Sequence, residues 1–135
     1  FKSGLSNQSN SDHLKDGLKL KNTFITLALR CVPPNDKPTK DELKNCSIFF
    51  KEELNMIKNK KVIVALGKIA FDTCIKFYKK NNGLKGSFKF GHGVKYRING
   101  LTIFGCYHPS PRNVNTKRIN ETKMIYLFKR AKKLI

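Results

Sequence analysis

Hydrophobic residues fall along this chain in two alternating patterns, continuous runs and helical spacings. The runs are Thr23-Phe24-Ile25-Thr26-Leu27-Ala28-Leu29, Val62-Ile63-Val64-Ala65-Leu66 and Leu101-Thr102-Ile103-Phe104-Gly105-Cys106. Rich in apolar and β-branched residues, they predict strands, and the Val62–Leu66 run predicts a parallel strand covered on both faces. Val94, Tyr96 and Ile98 alternate with polar residues, and Asn99-Gly100 after them predicts a type I′ hairpin into the Leu101 run. Helical spacing joins Leu43, Cys46, Phe50, Leu54 and Ile57. It also joins Ala70, Cys74, Phe77 and Tyr78, and later Met124, Leu127, Phe128, Ala131 and Leu134.

Punctuation supports these elements. Thr39 and Glu42 form a capping box ahead of the first helix, which Lys60-Lys61 should close. Gly67 turns the chain into the second helix, and Asn120 caps the last. Pro33, Pro34 and Pro38 exclude helix or central strand between them. Residues 1–22, rich in Ser, Asn and Lys, predict loop with a turn at Asp16-Gly17 and room for a short helix at the start. No repeats occur. The order β-loop-α-β-α-β-β-α predicts one domain over residues 1–135, a three-layer α/β/α arrangement with a largely parallel central sheet.

Charge narrows the function. The 135 residues carry 28 Lys+Arg against 9 Asp+Glu, a formal net charge of +19. Such an excess calls for a polyanionic partner, nucleic acid first and anionic membrane second, although a lysine-rich solubilising surface has the same composition. No run approaches the roughly 20 apolar residues of a membrane span, and no signal-peptide pattern opens the chain. A cytoplasmic, nucleoid-associated monomer without membrane contact is expected. The chain opens on Phe1, so residues upstream of it are also expected.

Candidate chemistry gathers at Tyr107-His108-Pro109-Ser110-Pro111-Arg112-Asn113, just past a predicted strand end. Ligands of open α/β sheets sit beyond strand ends, and two prolines stiffen this loop. A stiff loop bearing a His, an Arg and an Asn suits reading a base or a phosphate; a tight surface turn has the same residues. Of four cysteines, Cys74 and Cys106 read as core residues. Cys31 ends a predicted strand and Cys46 lies early in the next helix, so the intervening loop could bring the two thiols together. Two thiolates are half of a tetrahedral or cubane metal site. A disulfide is disfavoured in a reducing cytosol.

The run from Phe24 through Arg30-Cys31-Val32-Pro33-Pro34 to Thr39, followed by Glu42 and Cys46, resembles the iron–sulfur uracil-DNA glycosylases. Family 5 is the nearer type and family 4 the more distant. Further matches are Val64-Ala65-Leu66-Gly67 with Ile69-Ala70-Phe71, Phe90-Gly91-His92-Gly93, and Cys106-Tyr107-His108-Pro109-Ser110 with Asn113, Thr116 and Arg118. Gly4-Leu5-Ser6-Asn7-Gln8 and Asp16-Gly17-Leu18 extend the resemblance over nearly the whole chain.

The resemblance implies a DNA repair enzyme that flips uracil or a related deaminated base out of DNA and hydrolyses its N-glycosidic bond. It implies a structural 4Fe–4S cluster, with Cys31 and Cys46 as two of four ligands and the other two upstream. The first catalytic motif, a glycine-rich loop with an acidic residue that positions water, is also expected upstream, making this chain the C-terminal part of the enzyme. His108 would donate to a uracil carbonyl oxygen. Ser110, Pro111, Arg112 and Asn113 would form the loop that enters the minor groove, and Arg30, Lys37 and Arg118 would contact phosphates. His92 reads as an ordinary loop histidine, with a phosphate contact as the alternative. Leu27 stands where many relatives carry a polar residue, often Asn, and leucine cannot hydrogen-bond. Two other readings compete: a catalytically weak or inactive relative that only binds nucleic acid, and a basic RNA-binding module sharing the fold alone.

Overall fold

A computed structural model of the protein describes residues 1–30, 38–83 and 85–135. Cys31, the Pro33-Pro34 loop and Lys37 lie outside the described residues. The elements are α1 (Lys40–Met56), β1 (Val62–Leu66), α2 (Lys68–Asn82), β2 (Lys95–Ile98), β3 (Leu101–Cys106), α3 (Pro111–Asn115) and α4 (Glu121–Lys132).

Local chemistry sets their ends. At the start of α1 the Thr39 hydroxyl accepts from the Glu42 N–H at 3.2 Å, and the Glu42 carboxylate accepts from the Thr39 N–H at 2.7 Å. The expected capping box is therefore formed. The helix stops at Met56, earlier than the Lys60-Lys61 pair. Lys60 closes it with its side chain, donating from Nζ to the Leu54 and Ile57 carbonyls at 2.7 and 2.8 Å. Asn120 caps α4 by accepting from the Lys123 N–H at 2.9 Å.

The sheet runs β1-β3-β2. β1 pairs with β3 in parallel, Ala65 opposite Gly105 and Leu66 opposite Cys106. β2 pairs with β3 antiparallel through the Asn99-Gly100 turn, where both φ angles are positive (47° and 83°), as a type I′ hairpin requires. Where a largely parallel sheet was expected, the described sheet is small and mixed, because the hairpin contributes β2 antiparallel.

Side-chain alternation divides the sheet into two faces. Ile63, Ala65 and Ile103 pack with Phe71, Cys74, Ile75 and Tyr78 of α2 and with Phe50 and Leu54 of α1. Val62, Val64, Leu66, Phe104 and Cys106 pack on the other face with Ile119 and with Leu127 and Ala131 of α4. Helices on both faces explain why β1 and β3 read as unbroken apolar runs, and the fold is α/β. Among the described residues, no helix is long and apolar enough to cross a membrane.

One expectation near the start of the chain holds and one is corrected. Residues 1–22 form loop with an isolated Ser6–Leu20 bridge and no helix. Thr23–Leu29 is not a strand. It is irregular, and Phe24, Ile25 and Leu27 are 57, 70 and 59% exposed. A strand exists through the neighbour it pairs with, and none of the described strands pairs with this segment. Side-chain links tie it and the adjoining Arg30 to α1, from the Thr26 hydroxyl and the Arg30 guanidinium to the Glu53 carboxylate.

Candidate functional site

Because β1 and β3 are parallel, both end at the same edge of the sheet, and the loop Tyr107–Asn113 leaves from there. Gly67, directly after β1, donates its N–H to the Cys106 carbonyl at 2.7 Å. Its backbone (φ 93°, ψ 163°) is one that only glycine adopts readily. A Cβ added there would lie 3.3 Å from the His108 Cβ. The bare backbone of Gly67 thus forms one wall against which His108 rests.

A second fixed element at this edge of the sheet is the turn Phe90–Val94. Gly93 donates to the Gly105 carbonyl at 2.8 Å, and Gly105 returns a bond to the Val94 carbonyl at 3.0 Å. A Cβ on Gly105 would meet the Gly91 carbonyl oxygen at 2.5 Å, so the glycine lets the turn lie flat on the strand end. From this turn His92 accepts the Tyr107 N–H on Nδ1 at 3.4 Å, and its ring lies 5.6 Å from the Tyr107 ring.

The far end of the loop is the short helix α3 rather than an open loop. Ser110 is its N-cap, accepting from the Asn113 N–H at 3.4 Å, and Pro111 takes the first helical position, where no N–H is needed. Asn113 donates from its side-chain amide to the His108 carbonyl at 2.8 Å. Its own carbonyl accepts from the N–H groups of Arg118 and Ile119 at 3.0 and 3.3 Å. Ile119 is fully buried, so the loop is anchored in the core beneath α4. The Arg118 guanidinium lies over the Tyr107 ring, 5.3 Å from its centroid.

The result is an exposed imidazole, His108, on a backbone tied at several points, with exposed Pro111 and Arg112 beside it. Such a group can donate a hydrogen bond to a ligand beyond the strand ends without reorganising, the condition under which a donor stabilises developing charge. Of the predicted site residues, the structure brings together His108, Ser110, Pro111, Arg112, Asn113 and Arg118. Arg30 sits elsewhere: its guanidinium pairs with Glu53 and lies 4.9 Å from the Phe49 ring centroid, both on α1.

The residues of the Uracil DNA glycosylase superfamily profile match 1–132 of this chain. The chain belongs to the uracil-DNA glycosylase superfamily. It is 34% identical over 131 residues to the type-5 uracil-DNA glycosylase of Pyrobaculum aerophilum, covering 97% of this chain and 55% of that protein. It is 36% identical over 137 residues to the type-5 enzyme of Mycobacterium bovis, covering 98% and 50%. Against the type-4 uracil-DNA glycosylase of Sulfurisphaera tokodaii it is 31% identical over 111 residues, covering 78% and 49%. The chain spans about half the length of these curated relatives.

In this member of the superfamily the thiols divide sharply. Burial pushes the Cys74 thiol up to about 12 and the Cys106 thiol up to about 11, so both are protonated core groups, as their positions predict. Cys46 is half-buried on α1. Among the described residues no group of three or more His, Cys, Asp or Glu side chains is placed to hold a metal. Sequence reasoning read Gly67 only as a turn into the second helix, missed Gly105, and weighed His92 only as a phosphate contact or an ordinary loop histidine. A glycine between an apolar strand and a helix was the available signal for Gly67. Nothing in the spacing placed the Phe90–Val94 turn against Tyr107.

Proposed function

We propose that this chain carries the base-holding part of a uracil-DNA glycosylase, a DNA repair enzyme that extrudes uracil or a related deaminated base and hydrolyses its N-glycosidic bond. The observation that supports it most is the exposed His108 at the parallel strand ends, held by Gly67 and Asn113 in a superfamily member. In the reaction the bond between sugar C1′ and base nitrogen breaks. The electron pair leaves with the base, positive charge grows on the sugar, and water adds to C1′. His108 donates an imidazole N–H to a uracil carbonyl oxygen, where the negative charge develops. Extrusion costs a few kcal/mol and is easiest for a mispaired base. Arg112 and Pro111, exposed on α3, face the duplex and occupy the space the base vacates, while Asn113, spent on the His108 carbonyl, braces the loop. Arg118 and the general lysine excess bind phosphates without reading sequence.

Cys31 and Cys46 would supply two ligands of a 4Fe–4S cluster. Half-buried Cys46 suits that role; the protonated Cys74 and Cys106 do not. When bound, the cluster would brace the segment between Cys31 and Cys46. A second reading, a DNA-binding relative without hydrolytic activity, is favoured by Leu27, an exposed side chain that can neither donate nor accept.

One experiment separates the two. The full-length gene product is incubated with a uracil-containing oligonucleotide, and the strand is then treated with alkali. Scission at the uracil is expected, and none above a protein-free control would leave only the binding reading. His108→Ala should lower the rate by about 10²–10³-fold, the usual loss for one donor to a developing anion. A loss below about threefold removes His108 from that role.

A further inference from the structure

His92 is the one titratable side chain of the Phe90–Val94 turn, and its hydrogen bond and its ring contact are both with the residue before His108. The Tyr107 N–H points at its Nδ1, the two rings lie 5.6 Å apart and 35° from parallel, and Arg118 covers the same tyrosine ring. The turn that carries it is fastened to the strand end by the paired Gly93–Gly105–Val94 hydrogen bonds, with no space for a side chain at Gly105. The turn thereby brings to the strand end an acceptor for the Tyr107 N–H, the first of the loop.

We infer that His92 is a positioning residue for His108: by accepting the Tyr107 N–H on Nδ1 and lying against the Tyr107 ring, it fixes the direction in which the 107–113 loop leaves β3. The inference rests on the reading of His108 given above. Only an unprotonated Nδ1 can accept, so the contact belongs to neutral His92 with its proton on Nε2. The charged groups around it are cationic: Lys123 of α4, Arg118 over Tyr107, and Arg130, whose Nη1 lies 4.0 Å from a Cβ added at Gly93. Burial first, and the Lys123 charge second, hold the imidazole below its ordinary range. The sign follows: with its folded value depressed, His92 remains an acceptor at neutral pH, and the contact is lost as pH falls through that lowered value.

Two measurements test this. In the first, the Tyr107 amide is followed by NMR as pH is lowered, together with the His92 ring. The amide should shift with the His92 titration in the native protein and lose that transition in His92→Asn, whose side-chain oxygen takes the place of Nδ1 without titrating. This arm needs no turnover, so it decides the coupling even where the glycosylase reading fails. A Tyr107 amide that ignores the His92 titration overturns the inference. In the second, His92→Ala should lower the rate of uracil release about tenfold, as a small misplacement of a reacting group does, with KM for DNA changed less than about twofold. His92→Asn should restore most of that rate. Unchanged release in His92→Ala, or equal losses in the alanine and asparagine variants, also overturns it.

Discussion

Two apolar runs of this chain look alike in sequence and have opposite fates. Val62–Leu66 lies in the sheet, paired to β3, with α2 on one face and α4 on the other. Thr23–Leu29 is irregular, its large apolar side chains mostly exposed, and its polar links run to Glu53 on α1. Composition alone does not make a strand; a run becomes one when a neighbour takes its hydrogen bonds and layers take its side chains. The functional consequence follows the same division. His108 rises from the fixed region, where β3 ends on fully buried Cys106 and β1 on half-buried Leu66. Leu27, whose side chain can neither donate nor accept a hydrogen bond, lies in the unpaired one.

The widest contrast between the regions is in stability. Phe71 of α2 is fully buried, with the Phe90 and Tyr96 rings 5.6 and 5.8 Å away. Phe71→Ala should cost about 3–5 kcal/mol in urea unfolding, the usual loss for a deleted core phenylalanine. Leu27→Ser removes a side chain already in water and should change stability by less than about 0.5 kcal/mol. A Leu27→Ser loss approaching that of Phe71→Ala would mean the 23–29 run is buried in solution, and the comparison would collapse.

A smaller effect belongs to the seam between sheet and loop. Gly67→Ala forces a side chain onto a backbone at φ 93° and directs its Cβ at His108. Strain of this kind costs about 1–3 kcal/mol. Because the new methyl meets the His108 Cβ rather than distant core, uracil release should fall further than stability does. A Gly67→Ala protein with native turnover would show that His108 does not depend on this wall.

Much of the fold could be read from residues that state their own geometry. The Thr39–Glu42 box, the Asn99-Gly100 hairpin, the Asn120 cap and the unbroken Val62–Leu66 run all formed where the pattern predicted. Each rests on local chemistry or on a period that a few residues define. The misreading at Thr23–Leu29 has the opposite cause, since pairing is non-local and the run does not name its partner. At the site, His108, Ser110 and Asn113 were legible because prolines and polar residues after a strand mark a projecting loop. That Asn113 would turn back to the His108 carbonyl was not legible. Nor was the approach of the Phe90–Val94 turn, which depends on packing at Gly105.

The finest distinction compares the same chemistry in both regions, the two hydroxyl N-caps. Thr39 caps α1, beside the irregular segment, and Ser110 caps α3, inside the His108 loop. Replacing either by alanine removes one acceptor and should cost about 1 kcal/mol or less of local stability. In Thr39→Ala the loss should appear as faster amide exchange in the first turn of α1, with uracil release unchanged. In Ser110→Ala it should appear at Asn113, whose side chain holds the His108 carbonyl, and release should fall severalfold. The cap energies are alike, so any difference in turnover measures how each helix is coupled to His108. Equal losses of activity in the two variants would show that α1 communicates with the site as directly as α3 does, and the division into a fixed and an unpaired region would have no functional meaning.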